Sequence, residues 1–278
     1  MNIADIFTKV NVITADDTKE LINNKSQDEL EIIDVRQPAE YERGHITGAK
    51  LIPLSTLADN IEKLDVSKTI VTYCQRGVRS NSAAALLKRM GFEDIFSMKG
   101  GIEAWNGNVA TGDYDAGLFL IENLKSVDEF VTLAWALEEG ARIFYSRAMD
   151  MVTDNEVKDL LSTLVKAEES HKDALVKTLS RIKEKDMTDD IIKNSTLDNI
   201  MEGGISVDKA IEWIGNQDNS LISILELSMH LEANSLDLYM KMYDELENDD
   251  VKKVFSVLVV EEKVHLARLG NLLNEKID

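Results

Sequence analysis

The chain is poor in cysteine: Cys74 is the single one among 278 residues. A lone cysteine excludes an internal disulfide framework, and it excludes a metal site built from several cysteine ligands. It also leaves a reactive thiol without a second cysteine to resolve it, which disfavours a dithiol redox device. Any covalent chemistry of Cys74 therefore has to proceed without a second cysteine of the same chain.

Proline and long apolar segments are also scarce. Both prolines, Pro38 and Pro53, lie in the first part of the chain. No stretch approaches the run of about 18 apolar residues that indicates a membrane-spanning helix. The amino-terminal segment lacks the basic region and the apolar run of a secretory leader. We therefore expect a cytoplasmic protein that has no membrane partner.

Basic side chains are in the minority, and the imbalance is uneven. The chain has 31 Lys and Arg against 51 Asp and Glu, a net charge of −20. Residues 1–112 hold 13 basic and 16 acidic side chains, whereas residues 113–278 hold 18 and 35. Such acidity disfavours nucleic acid as a partner, because phosphate backbones are bound by cationic surfaces. It is compatible with the attraction of metal cations.

Residues 1–110 alternate short apolar runs with helical stretches. The runs Leu30–Val35, Thr69–Tyr73 and Asp94–Met98 predict buried parallel strands. A helix is predicted over Asn81–Met90, stopped by Gly91. Strands that alternate with helices indicate an α/β domain with a parallel sheet.

A linker and a change of period separate this domain from a second one. Residues 106–117 are rich in Gly, Asn and Asp, which is typical of a linker. From residue 118 to 278 the 3.6-residue period of helices takes over. The predicted long helices span about 126–151, 154–184, 218–246 and 249–274.

Capping signals and the length of one connection complete this prediction. Ser126 and Thr153, each followed three residues later by Glu, look like capping boxes that open the first two long helices. Residues 185–217 are too long for a turn and predict a crossover with a short helix near Val207–Ile214. Two helical hairpins joined by a crossover predict an all-α, ferritin-like four-helix bundle.

A set of metal-binding side chains occurs twice in the second domain, although the chain has only four histidines. A Glu on one helix and Glu-x-x-His on the next, repeated, is the ligand set of dinuclear carboxylate sites in helix bundles. Residues three apart share a helix face, and seven residues make two turns, so each Tyr can donate a hydrogen bond near the ligands. The set comprises Glu138, Tyr145, Glu168 and His171, and, 94 residues after each of them, Glu232, Tyr239, Glu262 and His265.

The donor set indicates which metals to expect. Carboxylate and imidazole suit iron, and manganese or zinc can occupy the same ligands. The alternative is that these side chains are solvated surface residues. The neighbouring segments are apolar, however, and a buried carboxylate is costly unless it is paired or metal-bound. We expect two ions, with Glu168 and Glu262 bridging, Glu138 and Glu232 terminal, and one His per ion; Glu139, Glu169 and Glu261 break the spacing and are expected at the surface.

A second candidate site surrounds the cysteine. The glycine of the loop permits a tight turn whose N–H groups can face an anion, and the following helix presents its positive dipole end. Two arginines add positive charge, so the loop favours a thiolate over a thiol. The alternative reading is a small buried hydrophobic residue. The loop runs from Cys74 through Gln75, Arg76, Gly77 and Val78 to Arg79.

Residues 28–107 resemble a single-domain rhodanese. The resemblance implies that Cys74 attacks a sulfane sulfur donor and holds the sulfur as a persulfide. The six-residue loop matches the sulfurtransferases, whereas related phosphatases have a longer loop. Arg79 would then bind a small anionic donor such as thiosulfate or a persulfide, Gln75 to Val78 would line the donor site, and Asp34 and Arg36 would support the loop. The matching segments are Ile33 to Tyr41, Gly44 to Ala49, Cys74 to Arg79, and Gly100-Gly101-Ile102-x-x-Trp105.

Residues 118–278 resemble the rubrerythrin branch of the ferritin-like superfamily. The chain lacks the cysteines of a rubredoxin module, and Ser235 stands where rubrerythrins carry an additional Glu, so the set is closer to bacterioferritin-type centres. The resemblance implies a diiron centre that meets oxygen or peroxide, in a homodimer. The matching segments are Glu138-x-x-Ala141-Arg142-x-x-Tyr145, Ala167-Glu168-Glu169-x-His171, Glu232-x6-Tyr239 and Glu262-x-x-His265.

Three functions fit these features. The first is an enzyme that couples a rhodanese-type sulfurtransferase to a diiron oxidoreductase. The second is a protein that binds or senses iron or peroxide and uses the rhodanese-like domain as a sulfur carrier. The third is structural, with the bundle acting as a dimerisation platform. The reactive-thiolate loop favours catalysis in the first domain.

Overall fold

The computed structural model describes residues 10–112, 124, 126–195, 199–201, 205–216, 221–246 and 248–277. The chain divides into two compact units, Met1–Tyr114 and Asp115–Asp278. An α/β region with a parallel sheet is followed by a helical region, which confirms the predicted fold class. Residues 113–117 of the predicted linker, and residue 118, where the second domain is predicted to begin, lie outside the described residues.

The first unit is built on a five-stranded sheet whose neighbouring strands are all parallel. The strand order is β1-β6-β5-β2-β4, which places β5 in the centre. A separate antiparallel pair joins β3 to β7. The strands are β1 Asn11–Ile13, β2 Leu30–Asp34, β3 His45–Ile46, β4 Lys50–Leu51, β5 Thr69–Tyr73, β6 Ile95–Met98 and β7 Val109–Ala110.

The apolar runs predicted three of these strands to within a residue at each end. Ile33, Ile70 and Val71 are fully buried, as expected for strands covered on both faces. The edge strand β1 was not predicted, because its three residues are partly or largely exposed and give no apolar run. The predicted helix α3 is present, but it spans Val78–Arg89 rather than Asn81–Met90.

The early start of α3 has a local cause. Gly77 adopts a left-handed φ of 92°, so the chain reverses at one residue and enters the helix at the next. Val78 and Arg79 are therefore the first turn of α3, where the sequence predicted loop. The remaining helical segments of this unit are α1 Ala15–Asn24, α2 Pro38–Tyr41, and 3-10 segments at Leu57–Lys63 and Gly101–Ala104.

Four long helices make up most of the second unit. The first two pack on each other, the last two do the same, and the second also packs against the fourth. Ser126 opens the first helix with the predicted capping box, in which its hydroxyl accepts the Glu129 N–H. The long helices are α4 Val127–Met151, α5 Asn155–Lys183, α8 Leu221–Glu245 and α9 Asp249–Ile277.

The predicted cap of the second long helix was wrong by one residue. Asp154, not Thr153, is the cap, and its carboxylate accepts from the N–H groups of Glu156 and Val157. Asp caps a helix at least as well as Thr, so two adjacent candidates compete and the sequence does not separate them.

The long connection between α5 and α8 holds more structure than the sequence predicted. The expected short helix is present as α7, Val207–Asn216. Another short helix, α6, spans Thr188–Asn194. An antiparallel pair of two-residue strands, β8 Ile200–Met201 and β9 Ile205–Ser206, lies between them. Elements this short carry no readable period, so the sequence did not reveal them.

The core of the second unit consists of two apolar clusters. Along α4, Val131 to Leu137 belong to one cluster and Ala141 to Ala148 to the other. Glu138 lies between these two runs, and the other predicted metal ligands occupy the same middle level. Burial of this kind forces the ligands to find partners among themselves or with a bound cation. Among the described helices, none combines the length and apolar character needed to cross a bilayer.

Candidate active site and candidate metal centre

Cys74 directly follows the central strand β5 and directs its sulfur toward the amino end of α3. Its side chain is buried, with an exposed fraction of 1%. The backbone N–H of Gly77 donates to Sγ at 3.1 Å, and Ser80 Oγ lies 3.8 Å from the same atom. The sulfur therefore faces hydrogen-bond donors at a helix amino terminus, which is a favourable place for an anion.

These donors change the acidity of the thiol. Burial by itself raises the pKa of Cys74, but the backbone N–H groups of Ser80, Arg76 and Gly77 outweigh it, and the pKa is lower than that of an ordinary thiol. Hydrogen bonds to the charged form have this effect, because they stabilise the thiolate and not the thiol. The loop thus favours the thiolate form of Cys74 over the thiol, and the thiolate is the nucleophilic form of a cysteine.

The Gly100-Gly101 motif supports the loop from behind. The N–H of Ile102 donates to the Cys74 carbonyl at 2.8 Å, and the N–H of Glu103 donates to the Gln75 carbonyl at 3.2 Å. A Cβ atom at Gly101 would lie 2.2 Å from the Cys74 carbonyl oxygen, which no side chain can tolerate. Glycine is therefore required at position 101, because two backbone segments approach each other closely there.

Arg79 is already engaged by a carboxylate. Its two terminal nitrogens donate to the two oxygens of Glu40 at 2.7 and 2.6 Å. This contact with Arg79 lowers the pKa of Glu40 to about 2. The pKa of Arg79 is raised, first by Glu40 and then also by the thiolate of Cys74. The predicted anion-binding arginine thus stands between Glu40 and the reactive sulfur.

The other predicted loop side chains face outward. Arg76 and Gln75 both donate to Glu103, at 3.0 and 3.1 Å, and the Arg76 side chain is largely exposed. Val78 is exposed on the first turn of α3. Arg76 therefore contributes its backbone N–H to the sulfur site, while its charge is directed to Glu103.

A buried ion pair holds the loop from the side of β2. Arg36 donates to both oxygens of Asp34, and a terminal nitrogen of Arg36 also donates to the Gly44 carbonyl at 2.6 Å. Another nitrogen lies 3.5 Å from Gln75 Oε1. A cleft of about 490 Å³ opens beside this pair, lined by Arg36, Glu40, Arg43, Gly44, Gln75, Ile102 and Val109.

In the helical unit, the six predicted metal ligands are brought together at mid-height of the bundle. His171 Nδ1 lies 2.9 Å from Glu138 and 3.2 Å from Glu168. His265 Nδ1 lies 3.2 Å from Glu232 and 3.6 Å from Glu262. The two imidazole rings are stacked with centroids 5.6 Å apart. All six residues are at most 3% exposed.

The two tyrosines connect the halves of this cluster crosswise. Tyr145 donates to Glu232, and Tyr239 donates to Glu138, so each phenol reaches the carboxylate of the other half. Both phenols are buried, which raises the pKa of Tyr145 well above its usual value and keeps it a donor. The 94-residue repeat thus appears in the structure as a pseudo-twofold arrangement.

The pKa values of the clustered side chains depend on burial and on the charges of their neighbours in the cluster. Burial raises the pKa values of Glu168 and Glu262 well above the usual range, and the charges of Glu138 and Glu232 add to this. Burial lowers the pKa of His171, but Glu138 outweighs it and raises the value to about 12. The cluster therefore favours bound protons on Glu168, Glu262 and His171, and divalent cations would replace those protons.

The donor set fits a cation. Glu262 Oε2 is buried and has no hydrogen-bond partner among the described residues. Among the described residues, candidate ligand atoms lie within 4.8 Å of one another in three overlapping groups, and Glu168 belongs to two of them. Carboxylates and imidazoles at this spacing suit divalent iron, manganese or zinc. The groups are Glu138, Glu168, His171 and Glu262; Glu168, Glu232 and His265; and His171, Glu261 and His265.

One residue beside the cluster was missed by sequence reasoning. Glu261 was expected at the surface, and its side chain is 48% exposed, yet one of its oxygens lies 3.4 Å from His171 Nε2. Glu169 is exposed, as expected. Glu139 is partly buried and pairs with Arg142 and Lys172. The 94-residue rule could not find Glu261, because its counterpart in the first half is Ala167.

Comparisons with known proteins agree with the α/β fold of the first unit. The rhodanese-like domain family matches residues 14–108. Thiosulfate sulfurtransferase GlpE of Pseudomonas fluorescens is 39% identical over 74 residues, which are 27% of this chain and 68% of that protein. A parallel α/β domain with these similarities defines the class of the first unit, and the chain belongs to the rhodanese-like family.

Two further relatives share this region. YqhL of Bacillus subtilis is 43% identical over 79 residues, and this chain spans 63% of the length of YqhL. The crystal structure of a rhodanese-related protein from Thermoplasma volcanium is 30% identical, with 36% of this chain and 97% of that chain covered and a TM-score of 0.33.

Proposed function

We propose that the first unit is a sulfurtransferase that carries sulfane sulfur as a persulfide on Cys74. The observation that supports this most directly is the donor-lined pocket around Sγ, in which Gly77 N–H lies 3.1 Å from a sulfur of lowered pKa. The relationship to a thiosulfate sulfurtransferase favours a small anionic donor, either thiosulfate or a persulfide.

The proposed reaction transfers one sulfur atom, and every bond that forms is matched by a bond that breaks. The Cys74 thiolate attacks the outer sulfur of thiosulfate, the S–S bond of the donor breaks, and sulfite leaves with the electron pair. The resulting persulfide anion keeps the negative charge in the loop, where backbone N–H groups can donate hydrogen bonds to it as they do to the thiolate. An acceptor nucleophile such as cyanide then attacks the outer sulfur and restores the thiolate.

Arg79 is proposed to bind the anionic donor in competition with Glu40. Arg79→Ala should remove a charge-assisted contact of about 1.5–3 kcal/mol, which is about a 10- to 100-fold rise in KM for thiosulfate. Steady-state kinetics of thiosulfate:cyanide sulfur transfer measure the KM for thiosulfate. Glu40→Gln should lower the KM, because Arg79 is released from its carboxylate.

Arg76 provides the matched control in the same loop. Its side chain is exposed and faces Glu103, so Arg76→Ala should leave the KM within about twofold, as expected for a solvent-screened pair. If Arg76→Ala and Arg79→Ala raised the KM equally, the loss would reflect general loop charge and not a specific anion site.

We further propose that the second unit is a ferritin-like domain holding a dinuclear centre of two iron ions, with manganese or zinc able to occupy the same ligands. The convergence of six buried ligands, including an unpartnered carboxylate oxygen on Glu262, supports it. Such a centre would supply redox chemistry with oxygen or peroxide. Tyr145 and Tyr239 would orient the carboxylates of Glu232 and Glu138 through their hydrogen bonds.

The reaction with peroxide distinguishes a catalytic metal centre from one that only senses iron or peroxide. Iron-loaded protein would be mixed with hydrogen peroxide and a reductant, and consumption of peroxide would be followed over many equivalents. We expect repeated turnover that disappears after chelation. A single stoichiometric reaction without turnover would instead support the iron- or peroxide-sensing alternative, with the rhodanese-like unit as its sulfur carrier.

The two units are also proposed to function as independent domains, 1–110 and 118–278. Within the predicted linker 106–117, Val109–Ala110 form strand β7, which pairs with β3, so the linker prediction was wrong for these two residues. Limited proteolysis should therefore cut first in the part of residues 106–117 that follows β7, because nicking concentrates in segments of small and polar residues and not in paired strands. The isolated first fragment should keep its sulfur-transfer activity and its circular dichroism. Loss of that activity on cleavage would show that the first domain requires the second.

A further inference from the structure

The two histidines of the candidate metal centre differ in what faces their outer nitrogen. The pseudo-twofold repeat gives each of them the same inner partners: two carboxylates near Nδ1. Outside the cluster the repeat is broken. Glu261 places a carboxylate oxygen 3.4 Å from His171 Nε2. A Glu261 oxygen also lies within 4.8 Å of a ring nitrogen of His265, but only the contact with His171 is short enough for a hydrogen bond. The residue 94 positions before Glu261 is Ala167, whose methyl group accepts no hydrogen bond.

We propose that Glu261 is a positioning residue that makes the two metal positions unequal, so that the position next to His171 binds a divalent cation more tightly than the one next to His265. This inference rests on the proposed dinuclear site. Glu261 directly precedes Glu262 on α9, and in this way the chain supplies a ligand of the cluster and an outer partner for His171 from adjacent residues.

The physical reason lies in the chemistry of imidazole. When Nε2 carries the proton and donates it to a carboxylate, Nδ1 keeps its lone pair for the metal, the ring orientation is fixed and the ligand becomes more basic. His171 presents Nδ1 to Glu138 and Glu168, so its geometry has this form. Loss of such an outer partner typically costs about 10- to 100-fold in metal affinity.

The exposure of Glu261 sets the expected size of the effect. Its side chain is 48% exposed, so water screens the interaction, and the lower end of that range applies. We expect about a 10-fold preference of the first ion for the position next to His171. Ala167 is only partly buried on α5, so the missing carboxylate can be introduced there by substitution.

The test measures where the first ion binds. Crystals of the full chain would be prepared with less than one equivalent of Mn²⁺ per chain, and anomalous diffraction at the manganese edge would give the occupancy of each position. The wild type should favour the His171 position by about 10-fold, Glu261→Ala should bring the ratio near one, and Glu261→Gln, which keeps an acceptor oxygen, should give an intermediate ratio. Glu169→Ala is the matched control and should keep the wild-type ratio.

A second substitution tests the same idea by gain of function. In the double variant Ala167→Glu, Glu261→Ala, the carboxylate faces His265 in place of His171, and the preference should move to the His265 position. This outcome cannot arise from a general loss of stability. It follows only if the outer carboxylate decides which ion binds first.

The outcomes separate this inference from the proposal on which it rests. Equal occupancy in the wild type, with two ions bound at saturating Mn²⁺, overturns the role of Glu261 and leaves the dinuclear site standing. An ion seated between Glu261 and His171 Nε2 also overturns it, because Glu261 would then be a ligand. No ion in either position at saturation overturns the dinuclear site itself.

Discussion

Replacing Cys74 by serine should abolish thiosulfate:cyanide sulfur transfer. Serine keeps the size of the side chain, but its hydroxyl does not ionise near neutral pH, and its oxygen cannot hold a sulfane sulfur as a persulfide. Removal of the nucleophile from other covalent enzymes costs on the order of 10⁶ in turnover, so the variant should turn over at the background rate. Thiocyanate formation, followed with time, measures the loss.

The control for this variant is the second unit. Cys74→Ser should leave the metal content and the thermal unfolding of the helical region unchanged, since the residue belongs to the first compact unit. Near wild-type transfer by the serine variant would contradict the assignment of Cys74 as the sulfur carrier. A loss accompanied by unfolding of the first unit would call for Cys74→Ala as a second test with the same expected result.

Replacing His171 by alanine should cost the protein one of its two metal ions. One imidazole is lost from the group formed with Glu138, Glu168 and Glu262, while the group around His265 keeps its ligands. A ligand that binds only the folded state stabilises it by about 4 kcal/mol at a thousandfold excess over Kd. The wild type should therefore lose about 4 kcal/mol of unfolding free energy per ion on chelation, and the variant should lose distinctly less.

Elemental analysis and denaturant unfolding, each with and without chelator, measure this prediction. Comparison of the two chelated proteins is needed as well, because His171 also hydrogen-bonds to Glu138 and Glu168 without metal. Glu169→Ala is the matched control, since Glu169 is exposed and adjacent to a ligand. If His171→Ala retained both ions, or if chelation left the wild-type stability unchanged, His171 would not be a ligand.

Much of the fold could be predicted because its long elements carry a strong period. The apolar runs fixed the strands β2, β5 and β6 to within a residue at each end, and all four long helices followed from the 3.6-residue repeat. The failures concern short elements and boundaries. The early start of α3 depends on the positive φ of Gly77, and the cap of α5 on a choice between Thr153 and Asp154.

The site was predictable where residues close in sequence lie on one helix face, and less so where partners come from distant segments. The 94-residue repeat singled out six candidate ligands, and the structure brings their side chains together. The pairing of Arg79 with Glu40 joins residues 39 positions apart, so the loop sequence alone gave no sign of it. Glu261 was missed for a related reason: its contact with His171 spans two helices and breaks the repeat.

Both proposals concern the same chain: a sulfur carried on Cys74 in the first unit and a two-metal centre in the helical unit. Native mass spectrometry of the full chain, after loading with iron and exposure to thiosulfate, tests both proposals in one spectrum. We expect one added sulfur atom and two iron ions per chain, and we expect Cys74→Ser to keep the two ions and lose the sulfur. A chain that gains no sulfur would contradict the first proposal, and a chain that holds fewer than two ions at saturating iron would contradict the second.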